Sequence, residues 1–552
     1  MNTDRNRIFV YDTTLRDGAQ GEGISFSAGG KEQLARRLDT FGVDYIEGGY
    51  AGSNASDMAF FERFRQKNLE QAKLVAFGST RRARTPVGKD PRVASLLAAG
   101  TPAVTVYGKS WKLHVRDVLR TSLKENFAMI RDTVAFLKDR GREVIFDAEH
   151  FFDGYKDDPD FALRALAAAA DAGADTLVLC DTNGGALPHE VYGAVRTVAD
   201  AFGTPIGIHT HNDMGLGVAN SLEAVRAGAV HVQGTMNGYG ERCGNANLTS
   251  ILPALILKMG RTCLRSGELA KLRDVSLFVD DLVNIRHWHK APFVGRSAFA
   301  HKGGAHVNAV KKNPRTFEHT DPASVGNERH VLMSELSGGS SVLLKAVELG
   351  LARRETEEGA RDILAALKSM ESKGYAFEAA DASFRILAQK VLKKHRSFFD
   401  LEGYRVIVEK RGKEEPCIAE ATVKVRVNGE AEQTVAEGEG PVDALNGALR
   451  KALTRFYPSI AKVHLTDFRV RILDPEESTA ATTRVLIESS DGEATWGTVG
   501  VSDNIIEASW EALVDSVEYK LFREEERKQS GRGATAKRRG GKRRGGKRRA
   551  KA

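Results

Sequence analysis

The chain has 552 residues, 41% of them hydrophobic and 28% charged, which suggests two to four domains of ordinary soluble, globular composition and no run near the roughly 20 apolar residues of a membrane span. Its formal net charge of +8 is local: the eleven Lys and Arg of residues 531–552 face no acid there, so the body before them carries −3. The four cysteines, Cys180, Cys243, Cys263 and Cys417, form no CxxC pair, which speaks against a disulfide framework or a cysteine zinc site and points to a reducing cytoplasm.

The N-terminus, MNTDRNR, lacks the apolar segment of a secretory signal. From there to about residue 275, short β-rich runs alternate with longer Ala/Leu-rich helical stretches, the pattern of βα units and a parallel sheet. Eight strand candidates can be counted: IFVYDTTLRDG from Ile8, VDYIEGGY from Val43, KLVAFGST from Lys73, AVTVYGKS from Ala103, EVIFDAEHFFD from Glu143, DTLVLCDTNGG from Asp175, PIGIHTHNDMG from Pro205 and VHVQGTMNGYG from Val230. Eight such units over this length predict a (β/α)8 TIM barrel. Each run begins apolar and ends polar, so the reactive groups collect at the C-terminal ends of the strands, the catalytic face of a barrel.

Residues 276–395 read as helical linker or lid subdomains, with a His/Gly-rich stretch, FAHKGGAHVNAVKKNPRTF, from Phe299 and a Gly/Ser turn, SGGSS, beginning at Ser337. Over 396–524 β-type alternation returns with two interleaved helices, predicting a separate α+β domain of two similar halves. The repeated KRRGG of 525–552 reads as a basic, disordered tail.

The sharpest local signal is IHTHND. His209 and His211 lie two apart at a strand end, so both side chains project from one face. Two imidazoles beside a carboxylate suit a divalent metal; a lone HxH pair also fits a hydrogen-bonded strand end. In a closed barrel, however, the LRDG strand neighbours the eighth strand, which adjoins the HxH strand. Asp17, His209 and His211 then converge, and the Gly-rich loop after the eighth strand brings Asn245, whose amide oxygen is a further candidate ligand.

At this point the chain resembles a known family: the acyl-CoA-condensing synthases of the 2-isopropylmalate, homocitrate and citramalate synthase group. The resemblance is carried by Leu15-Arg16-Asp17-Gly18-Ala19-Gln20 with Lys31, by His209-Thr210-His211-Asn212-Asp213 followed by Gly215, Gly217 and Asn220, and by Asn237-Gly238 through Gly240-Glu241-Arg242 to Gly244-Asn245. It extends from about Ile8 to Arg523, and GEGPVDAL and SDNIIEAS resemble the group's regulatory, dimer-forming domain. The chain departs from the group's usual residues at Asn308, Gly339 and Ser341, outside the metal site.

The resemblance implies that Asp17, His209, His211 and Asn245 hold a divalent metal (Mn2+, Mg2+ or Zn2+) and that acetyl-CoA is the co-substrate. It further implies that Arg16 stabilises the alkoxide, that Arg16, Asp17, Gln20 and Thr182 bind the 2-oxo acid, and that Glu149 is the catalytic carboxylate, the adjacent His150 pointing the other way. The base is His306, carried by a partner subunit, or Glu149, or the two together; His301 is a rival read as a solvent-facing loop histidine. The segments IEGGYAGSN and FVGRSAFAHKGGAHVN look most like the citramalate branch, which condenses acetyl-CoA with pyruvate in isoleucine biosynthesis. The alternative is the 2-isopropylmalate branch, acting on 2-oxoisovalerate for leucine. A homodimer and an isoleucine effector at the C-terminal domain are further implied. The tail raises a reading of another class, a polyanion- or nucleic-acid-binding protein, which the acidic body and the absence of a nucleic-acid fold motif oppose.

Overall fold

The computed structural model describes residues 6–52, 55–64, 69–302, 304–331, 357–473 and 481–544. The SGGSS turn, with Gly339 and Ser341, and the final basic residues from 545 onward lie outside these. Two compact units are formed, one from residues 1–299 and 318–330, the other from 300–317 and 331–552.

In the first unit eight parallel strands close into a barrel. They are β1 Phe9–Asp12, β2 Tyr45–Tyr50, β3 Lys73–Ser79, β4 Ala103–Lys109, β5 Glu143–Glu149, β6 Thr176–Asp181, β7 Ile206–Thr210 and β8 His231–Gly234. The ring is closed by β1 pairing with both neighbours: Tyr11 stands opposite Tyr45 on β2 and opposite Gln233 on β8. Strand alternation divides each run between two cores. On β5, Val144, Phe146 and Ala148 point outward into the layer shared with the helices, while Ile145 joins Tyr11, Tyr45, Val75, Ala103, Val178 and Cys180 inside the barrel. The same parity turns Asp147 and Glu149 inward, above that apolar floor.

The helices are placed by local signals. Ser27 caps the helix Ala28–Phe41 by accepting from the Gly30 amide at 3.0 Å, and Gly42, at φ 95°, ends it. Asp158 caps Pro159–Asp171 in the same way, with proline at the first turn. The unit runs past residue 275 to Phe299 because the helix Leu272–Leu282 packs Val275 and Val279 into the barrel's outer core and binds the loop after β8, Asn237 donating to Asp280 at 2.6 Å.

The second unit contains two three-stranded antiparallel sheets, Asp400–Glu409 with Ile418–Val427 and Glu430–Gly438, and His464–Ile472 with Thr483–Ser490 and Thr495–Ser502. Each is followed or crossed by a helix, Pro441–Thr454 and Ile505–Arg544. The last helix continues through residues 525–544, which composition marks as an unstructured tail: Glu, Lys, Arg and Ala are strong helix formers and extend a helix already anchored by Trp510, Leu513, Val517 and Leu521, against a cost of about 1 kcal/mol for each glycine. Among the described residues no helix is long and apolar enough to cross a membrane. The cysteines are free, Cys180 and Cys263 buried, Cys243 and Cys417 exposed.

Candidate active site

After β1 the chain turns tightly. The Asp12 carboxylate accepts from the Thr14 amide and hydroxyl, both at 2.9 Å, and the Asp17 amide donates to the Thr13 carbonyl at 2.9 Å. This turn delivers Asp17, 3% exposed, to the barrel mouth. At the end of β7 His209 and His211, each 5% exposed, point the same way, as their spacing requires. Asp17 Oδ2 lies 3.3 Å from His209 Nε2 and 3.9 Å from His211 Nε2, and the two Nε2 atoms are 3.3 Å apart. Asn245 arrives from the loop after β8, its Nδ2 2.9 Å from Asp17 Oδ2 and 3.3 Å from His209 Nε2. Two glycines shape that loop. A Cβ on Gly240 would stand 1.8 Å from Asn245 Oδ1, and Gly244, at φ 89°, brings its backbone against the Gly238 carbonyl.

These donors fit a divalent cation. Carboxylate oxygen and two imidazole nitrogens lie within 4.8 Å of one another, all buried. The Asn245 Oδ1 acceptor is buried without a partner among the described residues. An amide's oxygen and nitrogen can exchange places by a half turn, which would set that oxygen against Asp17 and His209 as a fourth donor.

The cluster borders a cavity of about 590 Å3 lined also by Arg16, Gln20, Phe77, Tyr107, Asp147, Glu149 and Thr182. Arg16 donates its Nε to Glu47, lies 3.4 Å from Asp17 through Nη1, and stacks 3.7 Å above the Phe77 ring. Glu47, with no exposed surface, also accepts from the hydroxyls of Thr13, at 2.6 Å, and of Tyr11. Glu149 pairs with Lys109. His150, at φ 58°, turns away from the cavity, approaches His114 with ring centroids 4.1 Å apart, and donates its amide to Thr182 Oγ1 at 2.9 Å. Arg242 closes the rim through Asp213, at 2.7 and 2.9 Å.

Burial opposes ionisation of Asp17, but the Arg16 charge and the two histidines hold its carboxyl well below the usual range. Burial also disfavours a charged His209, yet the bond and charge of Asp17 raise it above the ordinary value, while burial and the neighbouring His209 push His211 down to about 3. The pair therefore carries at most one proton charge between the two rings. Burial raises Asp147 to about 7.

Of the residues expected from the sequence, Arg16, Asp17, Gln20, Glu149, Thr182, His209, His211 and Asn245 are thus gathered at one barrel end. His306 is not among them: it belongs to the second unit, exposed on the helix Gly304–Lys312, its ring stacked 4.1 Å from Phe317. His301, expected to face solvent, is only 9% exposed, on the short strand Ala300–His301. Glu47, Phe77, Tyr107, Asp147 and Gln233 were not singled out by motif, although counting inward positions along each strand would have found them.

The HMGL-like family matches residues 7–279, the homocitrate synthase post-HMGL domain-like family 293–375, and the LeuA allosteric (dimerisation) domain 378–521. The chain is 52% identical over 519 residues to an (R)-citramalate synthase of Geobacter sulfurreducens, covering 94% of this chain and 98% of the relative. It is 52% identical to that of Synechocystis sp., covering 94% and 97%. A 2-isopropylmalate synthase of Methanocaldococcus jannaschii is 30% identical, covering 94% and 96%.

Proposed function

The chain belongs to the family of the (R)-citramalate synthases, and from that premise we propose that it condenses acetyl-CoA with pyruvate and water to (R)-citramalate and CoA. The observation that carries the reading is the meeting of Asp17, His209, His211 and Asn245 beside a cavity lined by Arg16, Glu149 and Thr182.

In this reading Asp17, His209, His211 and Asn245 hold the cation, Mn2+, Mg2+ or Zn2+. When bound, such a cation supplies the Lewis acidity that polarises the keto group of the 2-oxo acid. Gln20 and Thr182 receive the substrate carboxylate; the Thr182 oxygen accepts from His150, which leaves its hydroxyl proton to donate. Arg16, pinned by Glu47, cannot lose its charge and meets the alkoxide that forms at the keto carbon. Glu149, with His306 of the partner subunit as its partner in proton transfer, removes a methyl proton from acetyl-CoA. The methyl carbon bonds to the keto carbon, the alkoxide takes up a proton, and water cleaves the thioester to release CoA.

A thiol-release assay tests this directly. Purified protein with acetyl-CoA and Mn2+ is expected to release CoA with pyruvate and to stop after chelation. Faster release with 2-oxoisovalerate would assign the chain to the 2-isopropylmalate reaction instead, a change that one or two methyl groups in the pocket, about 1–3 kcal/mol, suffice to make. No release with either would refute the reading.

The LeuA-type domain over 378–521 supports a homodimer; in this reading the dimer is cytoplasmic and its C-terminal domain binds isoleucine as end-product inhibitor, and sedimentation and isoleucine titration of the thiol-release rate test the dimer and the effector. The basic end binds polyanions weakly and without sequence preference. Deleting the residues after Gln529 is expected to leave turnover intact, and a collapse of activity would refute that reading.

A further inference from the structure

The inner layer of a barrel is normally filled by branched apolar side chains, and here Gln233 interrupts it with a fully buried amide. Gln233 has two partners, both from inward positions. Its Nε2 donates to Asp147 Oδ1 at 3.1 Å, and its Oε1 lies 2.9 Å from His209 Nδ1. Asp147 is on β5 and Gln233 on β8, so the first of these bonds crosses the barrel interior.

The chain of bonds has a direction. The amide turns its nitrogen toward Asp147 Oδ1, and the carboxyl keeps an acceptor oxygen for it whether or not it holds a proton. Its oxygen is then left to accept, and His209 must present Nδ1 as N–H. In the neutral ring this places the lone pair on Nε2, the atom that faces Asp17, His211 and Asn245. His211 has no such support: its Nδ1 is buried with no partner among the described residues.

We propose that Gln233, anchored by Asp147, is the positioning residue that fixes the tautomer and ring plane of His209 for metal binding. The proposal rests on the reading of His209 as a ligand. An outer partner of this kind typically changes metal affinity or activity by roughly 10–100-fold when removed.

The test is Mn2+ binding to the chelator-stripped full-length protein, followed by the electron paramagnetic resonance signal of the free ion. Gln233→Leu is expected to weaken Mn2+ binding by roughly 10–100-fold with an unchanged far-ultraviolet circular dichroism spectrum. Gln233→Glu, which can share a proton with Asp147 and still offer His209 an acceptor oxygen, is expected to recover most of the loss. If Gln233→Leu does not fold, Gln233→Met, similar in length and lacking the amide, takes its place with the same expectation. A folded Leu or Met variant that binds Mn2+ like the unchanged protein overturns the proposal, as does a Glu variant as weak as Leu. His209→Ala separates the two levels: if it too binds Mn2+ normally, the ligand assignment itself is wrong; if it loses binding while Gln233→Leu does not, only the positioning role falls.

Discussion

Arg16→Lys isolates what the guanidinium does beyond carrying a charge. Glu47 is fully buried and takes three bonds, from Arg16, from Tyr11 and from Thr13. Arg16 serves it through Nε, which leaves Nη1 near Asp17 and the planar face on Phe77. A lysine ammonium is a single point of charge on a flexible stem; it can reach Glu47 or face the substrate, not both. Because a cation remains near Glu47, the variant avoids most of the roughly 3–5 kcal/mol that a buried, unpaired partner costs. What is lost is a donor aimed at the developing alkoxide, worth about 2.7–4 kcal/mol, or roughly 100- to 1,000-fold in kcat. The thiol-release rate at saturating pyruvate and Mn2+ is therefore expected to fall by that factor, with Mn2+ affinity and melting temperature little changed. A kcat within about ten-fold of the unchanged protein would refute the reasoning and reduce Arg16 to a partner of Glu47.

Other perturbations separate neighbouring roles. Glu149→Gln is expected to lower kcat by roughly 100-fold or more and His306→Asn by less, read as loss of deuterium exchange into the acetyl-CoA methyl group; a fully active Glu149→Gln would remove that carboxylate from the proton path. Gly240→Ala places a Cβ 1.8 Å from Asn245 Oδ1 and must displace that side chain; Mn2+ binding is expected to weaken while the far-ultraviolet spectrum persists, and unchanged binding would argue against Asn245 as a ligand. Asp12 supplies a pH effect. Burial raises its folded-state value from the ordinary 3.8 to about 7, so the folded state holds the extra proton in that window and stability falls as pH rises through it, by roughly 2–4 kcal/mol. Asp12→Asn should flatten this slope in urea denaturation between pH 5 and 8, and parallel slopes would contradict the assignment.

Much of the barrel could be read because a strand sorts its residues by parity. Once Ile8 and Val10 are set outward and Tyr11 inward, the turn at the end of β1 must carry Asp17 to the mouth. The same counting sends Glu149 inward and His150 away, and it keeps His209 and His211 together. The contacts across the barrel could not be read this way. Nothing local in VHVQG says that Gln233 will meet Asp147 on a strand 86 positions earlier in the chain, nor that Glu47 in YIEGG will seat Arg16. Those pairings depend on barrel closure and stagger, which fix heights around the ring that no single run encodes. Burial of His301 and the helical course of residues 525–544 escaped for a related reason: composition reports average solvation and propensity, not the anchoring supplied by a neighbouring element.

The loop that carries Asn245 also carries the exposed Cys243, while Cys180 and Cys263 are buried and burial drives both thiols up, that of Cys263 to about 12. Cys417 is the other exposed thiol. A Cys417→Ser protein would thus take up a single fluorophore, two residues from an atom that touches Asp17. Its emission would respond to what binds beside that loop, turning a side chain with no part in the chemistry into an optical gauge of the site.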